Sequence, residues 1–174
     1  MSRSLFAMLA IGLTLALSGC ETPEPEDADA QKAKAPLAPL TAPTGTDDKQ
    51  WQAYLQQVIQ RNQAGVTDRT MAYYLPADSD QPTPEDPEGR SKYDRQLENV
   101  QTVVLRTVLP GNLLAFGSPN STRMADLIVA SFTGGSPDAL KGSQVLFVGN
   151  AADSARVQAA VEAVGGKYIF VEAK

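Results

Sequence analysis

The sequence predicts a small three-layer α/β domain on a mostly parallel sheet of three or four strands, preceded by a disordered tether. Three observations carry that prediction. Gln144 to Val148 is a short continuous apolar run, Asn150 opens a helical pattern through Val164, and Tyr168 to Val171 is a second apolar run. Strands without polar alternation, joined by a helix, indicate a parallel sheet covered on both faces, with a right-handed crossover. The same alternation of apolar run and helical period occurs upstream, with no other internal repeat.

The elements follow in order. Asp47 to Ala64 has helical spacing, with Trp51, Leu55, Val58 and Ile59 on one face. Thr46 is placed to cap it, Asp47 and Asp48 suit the positive helix start, and Gly65 suits a left-handed end. Thr70 to Leu75 reads as a strand stopped by Pro76. Residues 76–90 hold four prolines and five acids and no aromatic residue, which predicts a surface loop of low order, solvated rather than functional.

Ser91 to Val108 is ambiguous. Tyr93, Leu97, Val100, Val104 and Val108 keep helical spacing, and Ser91 with Asp94 resembles a capping box. Against a helix, residues 102–109 are rich in β-branched side chains, and Pro110-Gly111 could turn a hairpin. The helix is preferred because its periodic signal runs longer. Leu113 to Gly117 then reads as a strand. Asn120 to Phe132 reads as a helix with Met124, Leu127, Ile128 and Phe132 along one side, ended by Gly134-Gly135. Ser136-Pro137 opens a turn closed by Gly142, Asn150 caps the last helix with Asp153 three residues on, and Val157, Ala160, Val161 and Val164 form its apolar stripe.

The amino-terminal stretch is of a different kind. Arg3 precedes thirteen residues, Leu5 to Leu17, that are apolar apart from Thr14. A bilayer span needs about 20 residues, whereas a secretory signal needs a short apolar core followed by small residues. Leu17-Ser18-Gly19-Cys20 resembles the lipobox of bacterial lipoproteins. That resemblance covers residues 1–20 only. It implies cleavage after Gly19, a covalent lipid on Cys20 and a mature chain that begins there. With Glu21 next, it further implies residence at the outer membrane with the domain facing the periplasm. Residues 20–46 then form a lipidated tether rich in proline and acid, able to reach roughly 80 Å at full extension. A proline-rich docking segment around Pro36 to Pro39 is the weaker alternative. The domain is expected over residues 47–174.

Composition removes several function classes. Of 15 basic residues Arg3 alone precedes Cys20, so 14 remain against 20 acids, a net charge of −6 once the amino terminus is acylated. No basic cluster is present, so nucleic acid is not an expected partner. Cys20 is the only cysteine, which leaves no disulfide framework and, once lipidated, no free thiol. Histidine is absent, which removes the usual general base, the Ser-His-Asp and Cys-His arrangements and the commonest zinc ligand. No nucleophile elbow, phosphate loop, dinucleotide fingerprint or Ser-x-x-Lys pair occurs, and the acidic loop lacks the spacing of a calcium loop. No cofactor beyond the lipid and no enzymatic activity are expected.

In open parallel sheets ligands sit beyond the carboxyl ends of the strands. Two loops fall there, 117–123 and 149–154. The first offers Ser118, Asn120, Ser121 and Arg123 as a candidate ligand or anion site, against a plainer reading as a helix cap. Tyr73 and Tyr74 are adjacent, so their side chains face opposite ways; they are core residues in a covered sheet, or partner-binding candidates if the strand is an edge. The leading expectation is a lipid-anchored, non-enzymatic module that binds another envelope protein, either as accessory subunit of an envelope or secretion assembly or as an inhibitor of the immunity type. The alternatives are a small-ligand or anion binder, with weak hydrolysis at the 117–123 loop, and a structural spacer between membrane and cell wall.

Overall fold

The structure, a computed structural model, describes residues 38–106 and 108–174. The apolar leader, the lipobox with Cys20 and most of the predicted tether lie outside the described residues. Residues 39–174 form one compact unit. It begins eight residues before the predicted boundary because Leu40 and Ala42 pack against the core and Ala42 N donates to Lys174 O at 2.6 Å.

The order of elements is α1 (Asp48–Arg61), β1 (Thr70–Tyr74), α2 (Lys92–Leu105), β2 (Leu113–Gly117), α3 (Ser121–Phe132), β3 (Gln144–Gly149), α4 (Ala151–Ala163) and β4 (Lys167–Glu172). The four strands are all parallel and lie in the order β1-β2-β3-β4. The three-layer α/β prediction holds. Side chains alternate across the sheet and divide the core in two. Leu113, Ala115, Leu146 and Val148 meet Trp51, Leu55, Val58 and Ile59 of α1 on one face. Leu114, Phe116, Val145 and Phe147 meet α2, α3 and α4 on the other, where Tyr73 stacks on Phe116 with ring centroids 4.8 Å apart.

The helical reading of 91–108 is correct for its main part. Ser91 Oγ accepts from Asp94 N at 3.0 Å while Asp94 Oδ2 accepts from Ser91 N at 3.1 Å, and this reciprocal cap outweighs the β-branched residues that follow. Two predicted caps differ. Asp47, not Thr46, caps α1, its carboxylate accepting from Gln50 N at 2.8 Å. Asn150 occupies the cap position of α4 without a side-chain cap bond.

Residues 76–90 form no helix or strand, as predicted, but they are not a loose solvated loop. Ser79 is buried, and Tyr93 N donates to Ser79 O at 3.0 Å. Asp86 Oδ1 accepts from Glu88 N at 2.9 Å and from Arg90 N at 3.4 Å. Burial alone would raise the Asp86 carboxyl, but these N–H groups and the Arg90 guanidinium outweigh it and hold it below the usual range. Lys92 reaches Asp78 at 3.0 Å and Arg123 reaches Asp80 at 2.7 Å. Asp78 and Asp80 are thus paired with cations from α2 and α3, and Asp86 and Glu88 with Arg90 of the loop itself.

Candidate functional site at the carboxyl end of the sheet

The predicted loop 117–123 lies past the carboxyl end of β2, and its four candidate residues are all engaged. Ser118 is buried and its Oγ accepts from Asn120 N at 3.0 Å. Asn120 Oδ1 accepts from Arg123 N at 3.1 Å and so caps α3. Arg123 lies over the Tyr93 ring, 3.3 Å from its centroid, and is held there by Asp80. Ser121 Oγ accepts from Asn150 N at 2.7 Å and donates to Asp153 Oδ2 at 2.7 Å. The second predicted loop thus joins the first through one hydroxyl.

Asp153 is the centre of this arrangement. Its Oδ2 also accepts from Thr122 Oγ1 at 3.3 Å, and its Oδ1 accepts from Arg156 Nη2 at 2.8 Å and Nε at 3.2 Å. Arg156 continues to Asp126 Oδ1 at 2.5 Å and to Thr122 O at 2.9 Å. Burial pushes the Asp153 carboxyl upward, yet the Ser121 hydroxyl, the Arg156 guanidinium and the Thr122 hydroxyl together hold it below the usual carboxylate range. The start of α3, with its two hydroxyls, favours an anion. Here Asp153 of α4 supplies that negative charge from within the chain.

Sequence reasoning placed Asp153 as a simple companion of Asn150, held Thr122 within the 117–123 loop without singling it out, and did not find Asp126 or Arg156. The Asp153-Arg156 spacing on one helix face was visible; the reach to α3, some thirty positions earlier, needs the tertiary packing. Gly149 is required for that closeness. A Cβ there would collide with the Phe147 ring and Ser121 Oγ, so the end of β3 could not approach α3.

A cavity of about 260 Å³ remains above this network, walled by Pro43, Thr44, Trp51, Pro119, Asn150 and Lys174. Trp51 Nε1 donates to Gly45 O at 2.6 Å, fixing the 42–45 strap across the strand ends. The cavity falls below the roughly 300–1,000 Å³ of ordinary small-molecule sites. The strand order also never reverses, so the sheet has no switch-point crevice of the kind that receives ligands in doubly wound folds.

Of the two tyrosines, Tyr73 is buried against Phe116 and belongs to the core, which removes it as a partner contact. Tyr74 is half-buried on the α1 face of an edge strand, and its hydroxyl donates to Asp48 Oδ1 at 2.9 Å. Burial, then that bond to Asp48, push the Tyr74 phenol above its ordinary range. Among the described residues no cluster of metal-ligating side chains occurs, and no helix is long and apolar enough to cross a membrane. No protein-family model, curated protein or solved structure gives a significant match to the chain.

Proposed function

We propose that this chain is a lipid-anchored, non-enzymatic protein-binding module, held at the outer membrane through Cys20 and facing the periplasm. It would serve as an accessory subunit of an envelope or secretion assembly, or as an inhibitor of the immunity type. The observation that carries this reading is a contrast in how polar groups are used. At the carboxyl end of the sheet, where a small ligand would be expected, Ser118, Asn120, Ser121 and Arg123 already hold partners within the chain. Along β1 the sheet is open, with polar and apolar hollows beside it. A small-ligand site at residues 117–123 would require those four residues to give up their present bonds.

The test has two parts. The mass of the mature protein purified from a bacterial envelope should show a chain beginning at Cys20 and carrying lipid. Mild crosslinking in intact envelopes should give one stoichiometric protein adduct. An unmodified Cys20 sulfur refutes the anchor, and the absence of any adduct under repeated crosslinking refutes the binding role.

A further inference from the structure

β1 is a free edge of the sheet. In its register with β2, Leu113 N donates to Arg69 O and Leu75 N donates to Gly117 O. Arg69, Met71, Tyr73 and Leu75 therefore turn their backbone groups toward β2, and Thr70, Ala72 and Tyr74 turn theirs away from the sheet. Among the described residues those three have no backbone partner on the outer side. Natural sheets protect such edges with charge, proline, a bulge or a covering segment. The opposite edge strand β4 begins at Lys167, ends at Glu172 and is met by Ala42 just beyond its end. β1, Thr-Met-Ala-Tyr-Tyr, pairs in unbroken register and carries no charge or proline.

Two hollows lie along this edge. One of about 270 Å³ is walled by Met71, Val103, Val108 and Leu109, with Arg69 and Arg106 beside them. Leu109 and the nearby Leu105 are the exposed large hydrophobic residues among the described ones, at 68% and 73% exposure. The other, about 440 Å³, adjoins Tyr74 and Leu75 and carries Lys92, Arg95, Gln96 and Asn99 from α2. Met71 and Leu75 are four positions apart on one face of the strand, about 13 Å.

The charges beside the edge are complementary to an acid. Arg69, Lys92, Arg95 and Arg106 line the two hollows against Asp48 and Asp68, on a chain with a net charge of −5. Asp48 is occupied by the Tyr74 hydroxyl, and Asp68 accepts from Asn112 Nδ2 at 3.0 Å. Lys92 holds Asp78 in an exposed pair, a contact that yields readily to an incoming carboxylate, and Arg95 stands 4.0 Å from the buried side chain of Asp86 and donates to Thr83 Oγ1 at 3.3 Å.

We infer that β1 accepts an extended segment of a partner protein as a fifth strand, and that this segment carries an apolar and an acidic side chain four residues apart. Its backbone bonds to the outward groups of Thr70, Ala72 and Tyr74. Its apolar side chain fills the Met71–Leu109 hollow, and its carboxylate meets Lys92 and Arg95. This assignment rests on the protein-binding reading and specifies the chemistry of the partner.

The experiment uses the full chain in detergent with nine-residue threonine- and valine-based peptides that carry Leu and Glu four apart, in either order, and matching peptides with Lys in place of Glu. Saturable binding is expected for one Leu/Glu order, weakened about tenfold or more by the Lys replacement. Ala72→Pro removes only an outward N–H, as edge strands tolerate; it should abolish binding with the unfolding midpoint unchanged. The double variant Lys92→Glu, Arg95→Glu should restore binding of the Lys peptide. As a check independent of any variant, the peptide should slow amide exchange at Ala72 and Tyr74. Equal affinity for Glu and Lys peptides, no saturable binding, unaltered exchange at both amides, or an edge occupied instead by a second copy of the chain would each overturn the assignment. Photo-crosslinking in envelopes separates this from the parent reading. A partner captured from other surfaces but never from position 72 sinks the fifth strand alone, whereas no partner from any surface sinks the binding role itself.

Discussion

The carboxyl end of the sheet and its β1 edge use the same chemistry in opposite ways. At the carboxyl end, hydroxyls, a helix start, a carboxylate and a guanidinium converge and satisfy one another. Along β1 the backbone groups of Thr70, Ala72 and Tyr74 face outward, and the exposed Leu109 lies beside them with Arg69 and Arg106. A cluster of polar side chains at the expected ligand position is thus no sign of a ligand when the chain supplies both halves. Groups left without internal partners are the better guide to where another molecule fits.

The largest effect should come from breaking the satisfied end. Asp153→Ala leaves Ser121, Thr122 and Arg156 without their shared acceptor and should cost about 2–3 kcal/mol in denaturant unfolding. Arg156→Ala combined with it should cost less than the two separate losses together, because the groups form one network. Gly149→Ala, which forces a methyl group against Phe147 and Ser121, should cost about 1–3 kcal/mol by the same measurement.

The pH dependence should follow next. The Asp153, Asp86 and Asp94 carboxyls lie below their ordinary value of 3.8 in the folded chain. The unfolded chain therefore binds more protons than the folded one in that range. The stability these groups contribute is complete above about pH 5 and is lost as pH falls through their unfolded and then their folded values. Unfolding free energy measured from pH 5 to pH 2 should decline, with a shallower slope in Asp153→Asn. The smallest effect belongs to the edge: Lys92→Gln and Arg106→Gln should change stability by no more than about 0.5 kcal/mol. A large loss in either would mean that this side is structural, like the other end.

The fold was readable because its strands are short apolar runs and its helices keep a 3.6-residue period, as in Leu113–Gly117 and Ser121–Phe132. The Ser91–Asp94 cap was readable because both partners lie within four residues. The turns of 76–90 were not, since Ser79 O is bonded by Tyr93 N of α2 and Asp80 by Arg123 of α3, partners beyond the loop itself. The Ser121–Asp153–Arg156 network escaped for the same reason. Its members are ordinary cap and surface residues until α3 and α4 pack side by side. The strap at Leu40 to Gly45 reads as tether because it continues the proline-rich stretch that precedes the first aromatic residue, yet Trp51 and Lys174 hold it in place.

Amide hydrogen exchange along β1 in the free protein tests the open edge most directly. The register requires Met71 and Tyr73, bonded to β2, to exchange slowly, and Ala72 and Tyr74, turned outward, to exchange fast. Equal protection of all four amides would contradict the account, because the edge would then already be covered.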